Sequence, residues 1–245
     1  MKINRSILPS GRIGLAVSGG SDSVALAFLL TKGGKKKNAA KRFVILHVDH
    51  GLRKESKEEY QFVKNLAKRL GIPFKGHHAK VVREKGESLE MAARRVRLAF
   101  FEKQMRLLSL DAIATGHHMD DVAETFLMRI KRASGAEGLS GIKEKSQVGS
   151  IRFVRPLLEC RDKELKDYLI KFKEEWREDA SNDDTSIERN KIRHEVVPFL
   201  EKNLDPNLVR HIFRITKNLS SISVKDSCAS RVCRQNPCTY SNRED

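Results

Sequence analysis

The sequence predicts an α/β fold: an open parallel sheet with helices on both faces, followed by a short helical segment. Two observations carry this. Through the first 155 residues, short apolar runs alternate with longer stretches whose apolar residues recur at helical spacing. Three segments dense in Gly, Ser, His and Asp then fall at the ends of the short runs, where open α/β sheets take their ligands.

The elements follow in order. "IGLAVS" over 13–18 reads as a buried strand and 22–31 as a helix. "RFVILHV" (42–48) is rich in β-branched residues and reads as the second strand. Tyr60, Val63, Leu66, Ala67 and Leu70 place a helix over 55–70, ended by Gly71 and Pro73. A short strand is expected over 73–81. An amphipathic helix follows over 87–108, with Leu89, Ala92, Ala93, Val96 and Phe100 on one face. "DAIATG" (111–116) is a further strand and 120–133 a further helix. The stretch 134–150 reads as loop. A strand over 151–155, a helix over 162–173, a polar link holding Trp176, and helices over 186–202 and 207–221 complete the chain. Residues 223–245 have almost no apolar periodicity and read as a disordered tail.

Composition narrows the function. A chain of 245 residues allows one large domain or two modest ones. No apolar run approaches the ~20 residues of a membrane span, so no membrane association is expected. The amino-terminal "MKINRSILPSGR" lacks the apolar core of a secretory signal, which makes the cytoplasm the expected location. The formal net charge of +16 and a pI of about 9.8 suit a polyanionic partner such as nucleic acid, or else a basic solvated surface. Aromatics make up 6%, too few for a base-stacking platform. The four cysteines, Cys160, Cys228, Cys233 and Cys238, form no C-x-x-C pair and read as free thiols.

The turn "VSGGSDS" (17–23) stands between the first strand and the first helix. A Gly-rich loop opening a helix aims main-chain N–H groups at an anion, and Ser18, Ser21 and Ser23 add hydroxyls around Gly19 and Gly20. Asp22 is unexpected beside an anion unless a cation lies between, and Mg²⁺ bridging phosphate oxygens to a carboxylate meets that need. A tight turn with Asp22 as helix cap is the other reading. In "TGHHMDDVAET", Asp121 and Glu124 share a helix face and could attract an ammonium group, or one of them could cap the helix. His117 and His118 precede them without a zinc-like partner set. Arg94 and Arg97 in "EMAARRVR" offer bidentate phosphate contacts or a solvated basic face. Asp49, His50 and Arg53 fall at a strand end. Asp179, Ser181 and Asn182 read as turn and cap residues, and Arg189, Asn190 and Arg193 as one helix flank.

S-G-G-x-D-S after the first strand resembles the pyrophosphate loop of the N-type ATP pyrophosphatases. "HVDHGLRKES", "ESLEMAARRVR", "ATGHHMDDVAETFLMRIKRASG", "RPLL" and "EDASNDDTSIERNKIR" extend the likeness, from Gly14 to Leu200, to the tRNA(Ile)-lysidine synthetases. The resemblance implies an adenine nucleotide α-hydrolase-like fold and a catalytic domain over 1–200. A helical segment would begin over 201–222, with the tail over 223–245 marking a short form that lacks most of the C-terminal region. It implies a ligase that uses ATP and Mg²⁺ to adenylate the wobble cytidine of an isoleucine tRNA with a CAU anticodon, and then attaches free L-lysine. By the same resemblance, Ser18, Gly19, Gly20, Ser21, Asp22 and Ser23 hold ATP and pyrophosphate, with Asp22 reaching Mg²⁺. Asp121 and Glu124 hold lysine. His117, Arg97 and Arg189 serve catalysis together with Asp22, and Arg53, Arg94 and Arg193 contact tRNA or phosphate. A tRNA thiolase of the same loop family and a non-catalytic RNA-binding remnant are the rival readings. The oligomeric state is left open, a homodimer being one form.

Overall fold

The computed structural model describes residues 1, 3–32, 39–51, 56–178 and 184–235, with side chains placed as far as residue 222. Arg53, Asp179, Ser181 and Asn182 lie outside the described residues. The chain falls into two compact units: Met1–Asp121 with Glu144–Ser186, and Val122–Lys143 with Ile187–Asp245.

The first unit is built on a six-stranded sheet. Its strands are β1 (Arg12–Ala16), β2 (Phe43–Asp49), β3 (Phe74–His78), β4 (Leu110–Ala114), β5 (Lys145–Val148) and β6 (Ile151–Val154), in the order β3-β2-β1-β4-β6-β5. All neighbours pair in parallel except β5, which runs antiparallel to β6 at the edge. Helices α1 (Ser21–Lys32), α2 (Ala39–Arg42), α3 (Ser56–Leu70), α4 (Leu89–Leu107) and α7 (Asp162–Lys171) accompany the strands. The helix α5 (Met119–Lys131) begins in this unit.

The period-2 geometry of the strands divides the core into two layers. Ile13, Leu15, Phe43, Ile45, Ala112, Ala114 and Val154 face one side, with residues of α1, α3 and α7 such as Leu26, Phe62, Leu66, Leu165 and Leu169. Val44, Leu46, Ile113, Ile151 and Phe153 face the other, with Phe100 and Phe101 of α4. Central strands buried on both faces explain why β1 and β2 read as continuous apolar runs. The order places β1 at the switch between strands added to its left and to its right, which is where such sheets open a ligand crevice.

The strand β5 was not expected. "KSQV" is polar and mostly exposed, as an edge strand is, so it carries no apolar alternation to reveal it.

The second unit is helical, with α6 (Ala136–Leu139), α8 (Glu188–Lys191), a π turn (Ile192–Val196), α9 (Val197–Asn203) and α10 (Leu208–Gln235) beside the rest of α5. The expected single helix over 186–202 is interrupted by the π turn. Pro198 has no N–H to give the carbonyl four residues back, that of His194, and the wider turn spans that point. The helix expected over 207–221 continues to Gln235, into the stretch read as a tail. No Gly or Pro interrupts 208–235, and Pro237 stands just beyond the end.

Candidate active site

The turn after β1 is shaped from within. Gly19 has φ +114°, a backbone region closed to residues with a Cβ in any but strained form. The Ser23 hydroxyl accepts from the N–H groups of Ser18 and Gly19, both at 3.2 Å, and donates to the Gly20 carbonyl at 2.9 Å. Ser23 is only 8% exposed, so it holds the turn together instead of facing outward. Ser18 is exposed, and Gly20, Ser21 and Asp22 are partly so. The first-turn N–H groups of α1 have no acceptor inside the helix, so the outer face of the turn is donor-rich.

The loop after β4 abuts this turn. A Cβ on Gly116 would lie 2.9 Å from the Asp22 carbonyl carbon and oxygen, so only glycine permits this approach. The approach brings His118 to Asp22, 96 residues earlier in the chain. His118 is 1% exposed and ringed by carboxylates: Nε2 lies 3.5 Å from Asp22 and 3.6 Å from Asp121, and Nδ1 lies 3.5 Å from Asp120. Burial works to lower its pKa, but Asp121, Asp120 and Asp22 outweigh that and hold it well above the ordinary 6.5, as an imidazolium.

Asp120 in turn joins two helix starts. It accepts from Arg161 Nε at 2.9 Å and from the N–H of Asp162 at 2.8 Å. Burial pushes its pKa up, but His118, that N–H and Arg161 bring it from 3.8 down to about 2. A depressed carboxylate stabilises the fold above its unfolded value and loses that contribution as pH falls from about 4 toward 2. Asp120→Asn is therefore expected to cost about 2 kcal/mol at pH 7 and to flatten acid unfolding in that window, as read by urea denaturation from pH 7 to 2. An unchanged acid profile would contradict the assignment.

Asp121 is 8% exposed, and its Oδ2 accepts from the His118 N–H at 3.0 Å, so it caps the start of α5 as well as pairing with the imidazolium. His117 is half-buried and its Nδ1 bonds Thr115 Oγ1 at 2.8 Å. One ligand atom each from Asp22, His118 and Asp162 lie within 4.8 Å of one another. The two carboxylates suit a hard oxygen-seeking cation such as Mg²⁺; a protonated His118 does not ligate but balances charge. Asp162 also meets Lys166 at 3.1 Å.

A second group of side chains gathers cations. Burial, then Arg94, lowers the pKa of Arg97, and burial followed by Arg94 does the same to Arg155. Arg97 presents exposed area yet is crowded enough by protein to lose much of its hydration. His50 is pushed down by burial and by Arg97, and its Nδ1 is buried with no hydrogen-bond partner among the described residues. A cavity of about 440 Å³ opens here at the carboxyl ends of β2 and β3, lined by Asp49, His50, His78 and Lys80 among others. Asp49 Oδ2 bonds His78 Nδ1 at 2.8 Å, and Gly51 donates to its other oxygen at 2.8 Å.

In the helical unit, Glu124 is 1% exposed and fully engaged. Arg189 Nε donates to Oε2 at 2.7 Å, and Arg193 donates from Nε to Oε1 at 2.6 Å and from its amino group to Oε2 at 3.1 Å. Asn190, between them in sequence, is buried. Sequence reasoning gave no role to Asp120, Arg155 or Asp162 and left that of His118 open. "RPLL" was the one signal for Arg155; nothing in sequence pairs Asp120 with Arg161.

A model of the PP-loop domain family matches residues 2–200. The chain is 42% identical to the tRNA(Ile)-lysidine synthase of Thermus thermophilus over 199 residues, 80% of this chain and 37% of that one. It is 41% identical to the tRNA(Ile)-lysidine synthase of Solibacter usitatus, also over 199 residues, 81% of this chain and 43% of the relative. The chain thus spans less than half the length of these curated relatives. Among solved structures it resembles the U34-tRNA thiolase NcsA of Methanococcus maripaludis, with a TM-score of 0.71 and 18% identity over 89% of this chain and 74% of that one, a likeness of fold. With a Gly-rich turn after β1 that presents helix-start donors, and a match that takes in the whole sheet, the chain belongs to the PP-loop domain family.

Proposed function

We propose that the chain carries the ATP-using part of a tRNA(Ile)-lysidine synthase. The observation that carries this is a donor-rich turn with Asp22 beside Asp162, in a chain 42% identical to an enzyme of that name. The substrates are ATP, free L-lysine and an isoleucine tRNA with a CAU anticodon.

The oxygen on C2 of the wobble cytidine attacks the α-phosphorus of ATP, and pyrophosphate leaves. The N–H groups of Gly20 and Ser21 and the hydroxyls of Ser18 and Ser21 would hold the departing phosphates, with Gly19 giving the turn its shape and Ser23, which takes the Ser18 and Gly19 N–H groups, bracing it. Asp22 and Asp162 would hold Mg²⁺, which when bound offsets the charge of those phosphates. His118 keeps Asp22 and Asp121 in place. Arg97, beside an Arg94 that also faces Arg155, meets phosphate charge from the nucleotide or the tRNA. The lysine ε-nitrogen then attacks C2, and AMP departs with the C2 oxygen. That amine has an ordinary pKa of about 10.4, so it must shed a proton, to His117 or a carboxylate. Asp121 receives the lysine ammonium. Glu124 would do so only by sharing its oxygens with Arg189 and Arg193, which otherwise present cationic charge to tRNA phosphates.

The test is lysine transfer. The protein, unmodified isoleucine tRNA with a CAU anticodon, ATP, Mg²⁺ and labelled lysine should give labelled tRNA with AMP and pyrophosphate. Pyrophosphate release only with a sulfur donor would point to thiolation, and no ATP turnover would defeat the reading.

A further inference from the structure

The segment after α7 returns to the turn that follows β1. Its course is fixed at three points. Glu174 pairs with Arg69 of α3 at 2.8 Å, Trp176 packs against the core, and the Arg177 N–H donates to the Gly19 carbonyl at 2.9 Å. The last contact ties the segment to the one residue of the turn with positive φ. Arg177 Cβ lies 4.0 Å from the position a Gly19 Cβ would take, and the Arg177 carbonyl oxygen lies 4.0 Å from the position a Gly20 Cβ would take. The Arg177 guanidinium rests 4.7 Å over the ring of Phe62, and that ring also packs on Gly19. An exposed, permanently charged fork therefore sits within a side chain's reach of the donor-rich turn.

We propose that Arg177 is a pyrophosphate-binding residue of this site: its main chain latches the turn, and its guanidinium moves from Phe62 onto the terminal phosphates of the nucleotide. A guanidinium matches two phosphate oxygens at once and keeps its charge at any working pH. The Phe62 ring is buried but the guanidinium over it is exposed, so leaving the ring gives up less than a charge-assisted phosphate contact returns. The inference rests on the PP-loop reading of the turn.

The experiment measures binding of inorganic pyrophosphate, with Mg²⁺ and without tRNA, by calorimetry. Wild type, Arg177→Gln, Arg177→Lys and Lys173→Gln are compared, the last removing one exposed charge from the same segment. Arg177→Gln is expected to bind on the order of ten- to a hundred-fold more weakly, Arg177→Lys to recover part of the loss, and Lys173→Gln to match wild type. The KM for ATP should rise in Arg177→Gln while that for lysine stays put. Equal binding by wild type and Arg177→Gln overturns the role of Arg177 and leaves the turn's assignment standing. An equal loss in Lys173→Gln reduces the effect to general surface charge and overturns it too. Failure of wild type to bind pyrophosphate at all removes the pyrophosphate-binding role of the turn and this inference with it.

Discussion

Asp22→Ala is expected to cut ATP-dependent pyrophosphate release and lysine transfer by on the order of 10²–10³-fold without unfolding the protein. Asp22 lies in the first turn of α1, where alanine fits the helix well. Its carboxylate is about one-third exposed and faces the region where Asp162 converges, so its loss should be felt by bound metal and phosphate more than by packing. The checks are initial rates of pyrophosphate release alongside a thermal melt. Raising Mg²⁺ should recover part of the rate if the defect is in metal affinity. Wild-type rates in Asp22→Ala would remove the carboxylate from the chemistry and return it to the role of helix cap.

His118→Ala is expected to have the largest effect on stability, about 3–5 kcal/mol at pH 7. The substitution leaves Asp22, Asp120 and Asp121 gathered beside an unfilled, buried space, with Arg161 still paired to Asp120. A histidine whose pKa is raised contributes below its unfolded value of 6.5, and that contribution is lost as pH climbs through the folded value. The gap between wild type and variant should therefore be full at pH 6 and narrow progressively as pH rises above 6.5 toward the folded value. Urea denaturation at pH 6, 7 and 9 reads it. A cost under about 1 kcal/mol, or one independent of pH, would mean that the imidazolium does not hold the three carboxylates.

Most of the frame was legible because strand and helix periodicities are local properties. Four of the six strands, β1, β2, β4 and β6, announced themselves by apolar runs, since both faces of a central strand are buried; the edge strand Phe74–His78 is largely polar. Lys145–Val148 did not, because an edge strand owes its pairing to β6 and not to its own side chains. The length of α10 was missed for the opposite reason: a helix without Gly or Pro can persist where apolar periodicity has faded.

The candidate site divides in the same way. The turn 17–23 was readable, since glycines, hydroxyls and a strand–helix junction sit in one short span. His118 was not, because its three carboxylates include one from a distant loop and its neighbour His117 carried the expectation. Asp121 and Glu124 looked equivalent by spacing. The structure gives Asp121 a cap and an imidazolium, and Glu124 two arginines 65 and 69 residues onward.

By itself, then, the sequence determined the open α/β frame, the donor-rich turn and the surplus of positive charge. Each follows from backbone geometry and residue type over a few neighbouring positions. Only the tertiary structure decided which distant groups meet: His118 with Asp22, Asp120 with Arg161, and the Arg177 N–H with the Gly19 carbonyl. Pairing depends on the order in which parallel strands add to the sheet, because that order chooses which loops share the crevice at its carboxyl end.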